Sequence, residues 1–513
     1  MSTASICILI TIVVYLIGML TVGFHFARKN ESTSDFYLGG RKLGPLVTAM
    51  SAEASDMSGY LLMGLPGLAY LSGVADVGWT IVGLAAGTYL NWLFTARRLR
   101  RYTQITGSIT LPQFFSNRFH DKKNILTVIA ALIIIIFFVP YTASGFAACG
   151  KLFSSLFGAD YMTAMIISAI VIVGYTAAGG FLAASTTDFI QSIIMTIAIV
   201  VVMVFATVSA GGIGAVVENA KALPGYLSVT STYAADTASA QPYGFLKIIS
   251  TCAWGFGYFG MPHILLRFMA IEDENKLKLS RRVASIWVVI AMAMAVCIGI
   301  IGNALSEQGI IASLAGSDTE TVIVRIAGFL SSFGILPALM AGIILAGILA
   351  STMSTADSQL LAASSSVSQN ILQDTMRLNL SPKTSMLIAR GTVVIIAILG
   401  VVIARDPNSS VFGIVSFAWA GFGAAFGPVI ICSLFWKRTT LPGAIVGMVA
   451  GGATVFVWKY LIAPMGGAFA IYELLPAFLV GIAAIIVVSL LTKEPSKEIM
   501  AEFEEAKANH VIR

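Results

Sequence analysis

SAEASDMSGYLLMGLPG, residues 51–67, is an apolar stretch that cannot form one regular helix. Gly59, Gly64, Pro66 and Gly67 interrupt it, and Gly and Pro in a helix interior cost about 1 and about 3 kcal/mol relative to Ala. WGFGYFGMPH, residues 254–263, repeats the pattern with Gly255, Gly257, Gly260 and Pro262. Inside lipid, a gap in backbone pairing is costly unless protein or a cavity satisfies it. Interrupted hydrophobic segments at corresponding positions of two halves point to the solute and ion site of a transporter. Glycine-mediated packing is the plainer account of either stretch alone. The pair, with carboxylates nearby, favours a binding site.

The chain around these stretches reads as a membrane protein. Of its 513 residues, 57% are hydrophobic and 11% charged, and the mean hydropathy is +0.89. Soluble domains carry about 25% charged residues, so a soluble enzyme is excluded as the default. A membrane-spanning helix needs about 20 apolar residues. The apolar runs predict 13 spans, at 4–26, 45–68, 76–95, 124–148, 161–183, 189–212, 244–269, 283–303, 333–362, 385–404, 411–436, 441–462 and 471–492. The first run, Ile6 to Phe26, lacks a charged leader and reads as a true first span. Basic residues set the orientation. With the N-terminus outside, 25 of the 31 Lys and Arg residues fall on the cytoplasmic side and 6 outside. The C-terminus is then cytoplasmic. These charges are spread over short loops, so the net charge of +6 calls for no nucleic-acid partner. The weakly charged loops 213–243 and 304–332 are expected to cap the external face, and the tail 493–513 to lie as a helix on the membrane surface. The five cysteines sit in apolar runs without a CxxC pair. No HExxH, no GxSxG with partners and no Walker loop is present, so no enzyme is read.

Polar residues at depth sharpen the reading. Glu53 and Asp56 lie inside the second span, Asp357 inside the ninth, and Asp188 at the junction of the fifth and sixth. A carboxylate at mid-bilayer costs about 2.5–3.5 kcal/mol on insertion scales. No Lys or Arg is expected deep in a neighbouring span, so an inorganic cation or a proton is the simplest partner. In STMSTADSQ, residues 351–359, Ser351, Ser354, Thr355 and Ser358 fall at i, i+3, i+4 and i+7 on one helix face, flanked by Asp357. Hard cations take such oxygens. Sodium fits, and the spacing alone leaves a proton open. Small-residue packing between helices is the plainer alternative. The topology also brings Asp188 towards Asp357 and Ser358, and predicts a second cation site there for sodium or a coupling proton. The alternative is that Asp357 caps or hydrates the inner end of its helix. Tyr141, Trp254, Tyr258 and Phe259 form either an apolar wall with hydrogen-bonding tips, suited to a small amphipathic solute, or plain core.

DFYLGGRKLGP (35–45), ASDMSGYLLMGLPG (54–67), WGFGYFGMPHILLRFMA (254–270), MSTADSQLL (353–361) and AWAGFGAAFGP (418–428) together resemble the sodium/solute symporter family, nearly end to end. The resemblance implies an all-α membrane protein of 13 helices. One extra helix precedes a leucine-transporter-type 5+5 inverted repeat and two follow it. The divisions are 1–44, 45–212, 213–436, 437–492 and the tail 493–513. It implies sodium-coupled import of L-proline or a similar small amino acid across the bacterial inner membrane by alternating access. Its sodium ligands are the backbone oxygens of Ala54, Met57 and Ser351 and the hydroxyls of Ser354 and Thr355. Asp56 matches an aspartate needed for sodium affinity, and Asp188 one near a second ion position. Arg41, Ser51, Ser58 and Gly59 match other sensitive positions, and Tyr141, Trp254, Tyr258 and Pro262 match the solute site. Glu53 stands where the family's proline carriers have Gly, and Met261 replaces a Gln; both are expected to flank the pocket. Ser351 replaces Ala, Tyr60 replaces Trp, and Asp357 replaces a small hydroxyl residue. A carrier of the same fold for a cationic amino acid or amine held by Glu53, a proton-coupled carrier, and a channel or membrane sensor are the competing readings.

Overall fold

Backbone groups inside a bilayer must pair within the chain, which leaves helices as the solution for so apolar a sequence. The computed structural model describes residues 2–27, 32–406, 408 and 410–508. These are helical apart from connections and one antiparallel hairpin pairing Ser231–Ala234 with Ser239–Pro242. Arg28, Lys29 and Arg513, counted among the cytoplasmic charges, lie outside the described residues. Among the described residues, nine helices are long and apolar enough to cross a membrane. Thr3–Ala27 leaves Val14 and Ile17 65% and 58% exposed, a face that lipid accepts and water does not. Ile335–Ser365, by contrast, is buried along most of its length. It packs against Tyr161–Ser209, Thr3–Ala27, Ile125–Phe157 and Pro45–Gly59.

Both expected interruptions are present. The first broken helix runs as Pro45–Gly59, a π-helical turn Tyr60–Gly64, and Leu65–Ser72. Its break falls at Ser58, with φ 39° and ψ −169°, a conformation that strains an L-residue. The Ser58 hydroxyl oxygen accepts the Tyr60 N–H at 3.1 Å and replaces part of the lost pairing. Pro66 then sits in the first turn of the outer half, where its missing N–H costs nothing. The second broken helix runs as Phe245–Cys252, a 3-10 segment Ala253–Phe259, and Pro262–Ala270 with Pro262 opening it. A Cβ on Gly257 would lie 1.9 Å from the Trp419 indole nitrogen, so only glycine lets this segment approach.

The expected fifth and sixth spans are two helices within Tyr161–Ser209 that meet directly at Gly180, with φ 65° and ψ −160°. Glycine adopts this conformation without a steric cost, so no loop is needed at 184–188. Asp188 therefore lies within the helix rather than at a junction.

Outside the helical core, Tyr226 pins the 213–243 segment to the first broken helix. Its hydroxyl donates to the carbonyls of Ala69 and Tyr70 at 2.7 and 2.9 Å. In the 304–332 segment, Glu320 pairs with buried Lys151 at 2.9 Å and accepts from the backbone N–H groups of Val411 and Phe412. It thereby caps the start of Val411–Phe435, where negative charge is favoured. The tail helix Lys497–Lys507 buries Ile499, Phe503 and Ala506 against protein. Phe503 stacks over Arg118 at 5.2 Å, and Arg101 donates to the Ala508 carbonyl at 2.6 Å. These docking contacts, rather than the expected seat on the membrane surface, account for its apolar stripe.

Candidate functional site

The break at Ser58 frees carbonyls of the first broken helix for partners outside it. The Ser354 hydroxyl donates to the Ala54 carbonyl at 2.8 Å and to the Ser351 carbonyl at 3.2 Å. The Thr355 hydroxyl reaches the same Ser351 carbonyl at 3.2 Å. Ala54, Ser351, Ser354 and Thr355 thus share one buried oxygen cluster between two helices. Met57, one turn beyond Ala54, turns its carbonyl to the Tyr60 N–H. Carbonyl and hydroxyl oxygens are the donors a hard monovalent cation takes. The hydroxyls turn their lone pairs to such an ion and give up the bonds they donate here.

Beside this cluster is a nearly closed cavity of about 10 Å³, lined by Asp56, Met57, Tyr60, Leu84, Tyr141, Trp254, Val415 and Trp419. Met57 lines this cavity, and its carbonyl is held by the Tyr60 N–H rather than by the cluster. Trp254 stacks on Tyr60 at 5.7 Å and on Tyr472 at 5.0 Å. The Trp419 indole N–H fixes the second broken helix by donating to the Trp254 carbonyl at 2.7 Å. The Tyr258 hydroxyl donates to Asp56 at 2.6 Å. The hydroxyls of Tyr60 and Tyr141 are buried without a hydrogen-bond partner among the described residues. An aromatic pocket with a few polar tips suits a small amphipathic solute. A larger apolar groove of about 390 Å³, lined by Leu9, Val13, Phe153 and Ile167 among others, holds none of these groups.

The expected solute residues are divided. Tyr141 and Trp254 line the cavity, and Tyr258 orients Asp56. Ser58 makes the break, and Gly59 packs close to Ala148 and Thr352. Met261 and Pro262 are buried where the second broken helix restarts, and neither they nor Glu53 line the cavity. Glu53 turns instead to the neighbouring helix, where one carboxylate oxygen accepts from Thr88 at 3.0 Å and Trp92 at 2.9 Å. Phe259 is buried and does not line the cavity either. Leu84, Val415 and Trp419 were not singled out from the sequence. Trp419 alone had a signal, in the Gly- and aromatic-rich run 418–428.

One expectation is overturned: a basic residue does lie at depth. Arg267 is 1% exposed. It donates to Asp188 at 3.0 Å, Ser51 at 3.0 Å, Ser358 at 2.5 Å and the His263 carbonyl at 2.9 Å. The charge count placed it in a cytoplasmic loop. Because the helix restarts at Pro262, Arg267 is only about 8 Å further along it and stays inside the bundle. Its planar fork serves several acceptors together. Ser51 also donates to Asp188, at 2.6 Å, so it belongs here and not to the solute cavity.

Asp357 is fully buried, which removes capping or hydration of a helix end as its role. Its two oxygens accept from Tyr175 at 2.9 Å and Ser358 at 3.0 Å. Arg267 bridges Asp188 and Ser358, and Ser358 donates to Asp357. The cation bound to Asp188 and Ser358 is the chain's own guanidinium.

Known proteins resemble this chain over nearly its whole length. A sodium/proline symporter of Escherichia coli K12 is 40% identical over 504 residues, covering 98% of this chain and 96% of the relative. One from Haemophilus influenzae is 43% identical and covers 97% of each. An osmoregulated proline transporter of Bacillus subtilis is 40% identical and covers 96% of each. Among solved structures, a Na+-coupled sialic acid symporter in a substrate-bound outward-open state superimposes with a TM-score of 0.77 at 17% identity, over 96% of this chain and 99% of that one. A nucleobase-cation-symport-1 family transporter follows with a TM-score of 0.58 at 16% identity, over 93% and 99%. At such identities the likeness is one of fold. Residues 36–451 match the model of the sodium:solute symporter family, and the chain belongs to that family.

Proposed function

We propose that the protein imports L-proline, or a closely similar small amino acid, driven by sodium through alternating access in a bacterial cytoplasmic membrane. The observation that carries this reading is the adjacency of two sites on one broken helix. The oxygen cluster at Ala54, Ser351, Ser354 and Thr355 and the aromatic cavity lined by Asp56 and Met57 both draw on the helix Pro45–Gly59. The names borne by relatives covering nearly the whole chain support sodium as the ion and proline as the solute. Sodium between the first broken helix and Ile335–Ser365 stabilises their contact. By linkage, it also raises affinity in the cavity whose wall that contact sets. Asp56 lies in that wall with its carboxylate oriented by Tyr258, and offers a partner to the solute's ammonium group. Trp254 and Tyr141 cover its apolar ring.

The nine long helices among the described residues, with Tyr161–Ser209 read as two crossings and the segments 45–72, 74–95 and 245–270 added, support our reading of a 13-helix plan with a 5+5 core. In that plan the divisions are 1–44, 45–212, 213–436, 437–492 and 493–513, with the N-terminus outside and the C-terminus cytoplasmic. The position of Glu53 outside the cavity speaks against its holding a cationic solute. The test is uptake of labelled proline into proteoliposomes with and without an inward sodium gradient. Accumulation that depends on the gradient is expected. Uptake that ignores sodium overturns the reading.

A further inference from the structure

Among the described residues, Glu53 is a buried carboxylate that has neither an ion pair nor a donor to its second oxygen. Asp188 has Arg267 and Glu320 has Lys151. Asp357 has a hydroxyl on each oxygen. Asp56 has the Tyr258 hydroxyl and faces the cavity. Glu53 is 1% exposed and forms no ion pair among the described residues. One of its oxygens takes two neutral donors, Thr88 and Trp92. The other, Oε2, is buried without a partner.

A second orphan acceptor comes from the same place. Thr88 and Trp92 bracket Asn91, which is fully buried and donates its amide N–H to the Tyr258 carbonyl at 2.9 Å. That bond fixes the amide orientation and leaves the Asn91 side-chain oxygen without a partner. The Thr95 hydroxyl, one turn further, is also buried and unpaired. These residues belong to a π-helical turn, Asn91–Thr95, a distortion that recurs at functional sites. A buried carboxylate without counter-charge is unfavourable, and unpaired acceptors beside it add to the cost. A bare cation answers both.

We propose that Glu53 and Asn91 form a second monovalent-cation site, separate from the cluster at Ser354 and Thr355, and that sodium fills it. The two sites lie on different sides of one helix. Ala54 turns its carbonyl to Ile335–Ser365, while Glu53 turns its side chain to Val74–Leu90 and the π-helical turn beyond it. The inference rests on the sodium-driven reading above.

The test counts radioactive sodium bound per chain at equilibrium on purified protein in detergent. Two ions are expected for the parent, one for Glu53→Gln, and one for the double variant Ser354→Ala with Thr355→Ala. A parent count of one overturns the proposal, and this is the result if Glu53 carries a proton. A count of two in Glu53→Gln overturns it as well. If Glu53→Gln does not fold, the parent count decides. Failure of the sodium-driven reading looks different, as proline uptake that ignores sodium. Failure of the second site leaves sodium-dependent uptake intact with one ion bound.

Discussion

Ser354 joins two helices through a single hydroxyl, and this makes its removal informative. Ser354→Ala and Thr355→Ala each take one oxygen from the sodium cluster and leave the others. The half-saturating sodium concentration for proline binding should rise on the order of tenfold, equivalent to about 1.4 kcal/mol, near the value of one hydrogen bond. Unchanged sodium dependence in both variants would remove the assignment. Trp254→Ala should instead weaken proline binding while leaving sodium binding without proline near the parent, since Trp254 touches Tyr60 and Tyr472 but no cluster oxygen. Paired titrations with sodium and with proline separate the two effects. Arg267→Met leaves Asp188 charged and unpaired in the interior, a loss of about 3–5 kcal/mol for a broken buried pair. The double variant with Asp188→Asn should recover much of that loss, measured as thermal unfolding in detergent. At this scale the sequence was legible where spacing carried the information. The hydroxyl ladder of 351–358 needs only helical geometry to gather on one face. Arg267 was hidden because its depth depends on where the helix restarts, and a count of loop charges cannot see that. Glu53 was visible as an odd carboxylate, but its direction of facing was not.

The broken helices are elements whose shape is held by what they touch. Gly257→Ala places a methyl group 1.9 Å from the Trp419 ring nitrogen. Trp419 also holds the Trp254 carbonyl, so transport should be lost and the unfolding temperature lowered. Gly214→Ala, in the helix Ile213–Ala222 with open space around it, serves as the control and should transport like the parent. Equal loss in both would show that crowding at Trp419 is not the cause. Clustered Gly and Pro made both interruptions readable. The position of the first break was not, because Ser58 carries the unusual backbone angles while the adjacent glycine, Gly59, is helical.

Across the molecule, the end of the bundle proposed to face the cytoplasm is fastened by arginines. Arg41 donates to the carbonyls of Met269, Thr103 and Ser108 at 2.6, 3.0 and 2.7 Å. Arg101 grips Glu274 with two bonds of 2.6 Å. Arg41→Ala removes three of these ties and should loosen the inner half of the second broken helix from its neighbours. A cysteine at Ser51 should then react faster with a maleimide supplied from the cytoplasmic side. An unchanged rate would mean that this clamp does not hold the inner face shut. The overall class was legible from composition, because so apolar a chain has no other environment. The docked tail was not, because its contacts join residues far apart in the chain, and the hairpin was not, because strands as short as STYA and SAQP carry no alternating apolar pattern.

The kink at Gly180 has a mechanical consequence. Tyr175, before the kink, holds Asp357, and Asp188, after it, holds Arg267 and Ser51. One non-helical residue joins the two lengths, and consecutive Cα atoms are about 3.8 Å apart whatever the backbone does. The joint bends but does not stretch. The two lengths therefore share one fixed point and keep separate angles, as two rods on a common pin, so the contacts of Tyr175 and those of Asp188 can be re-aimed separately while Gly180 holds the ends together.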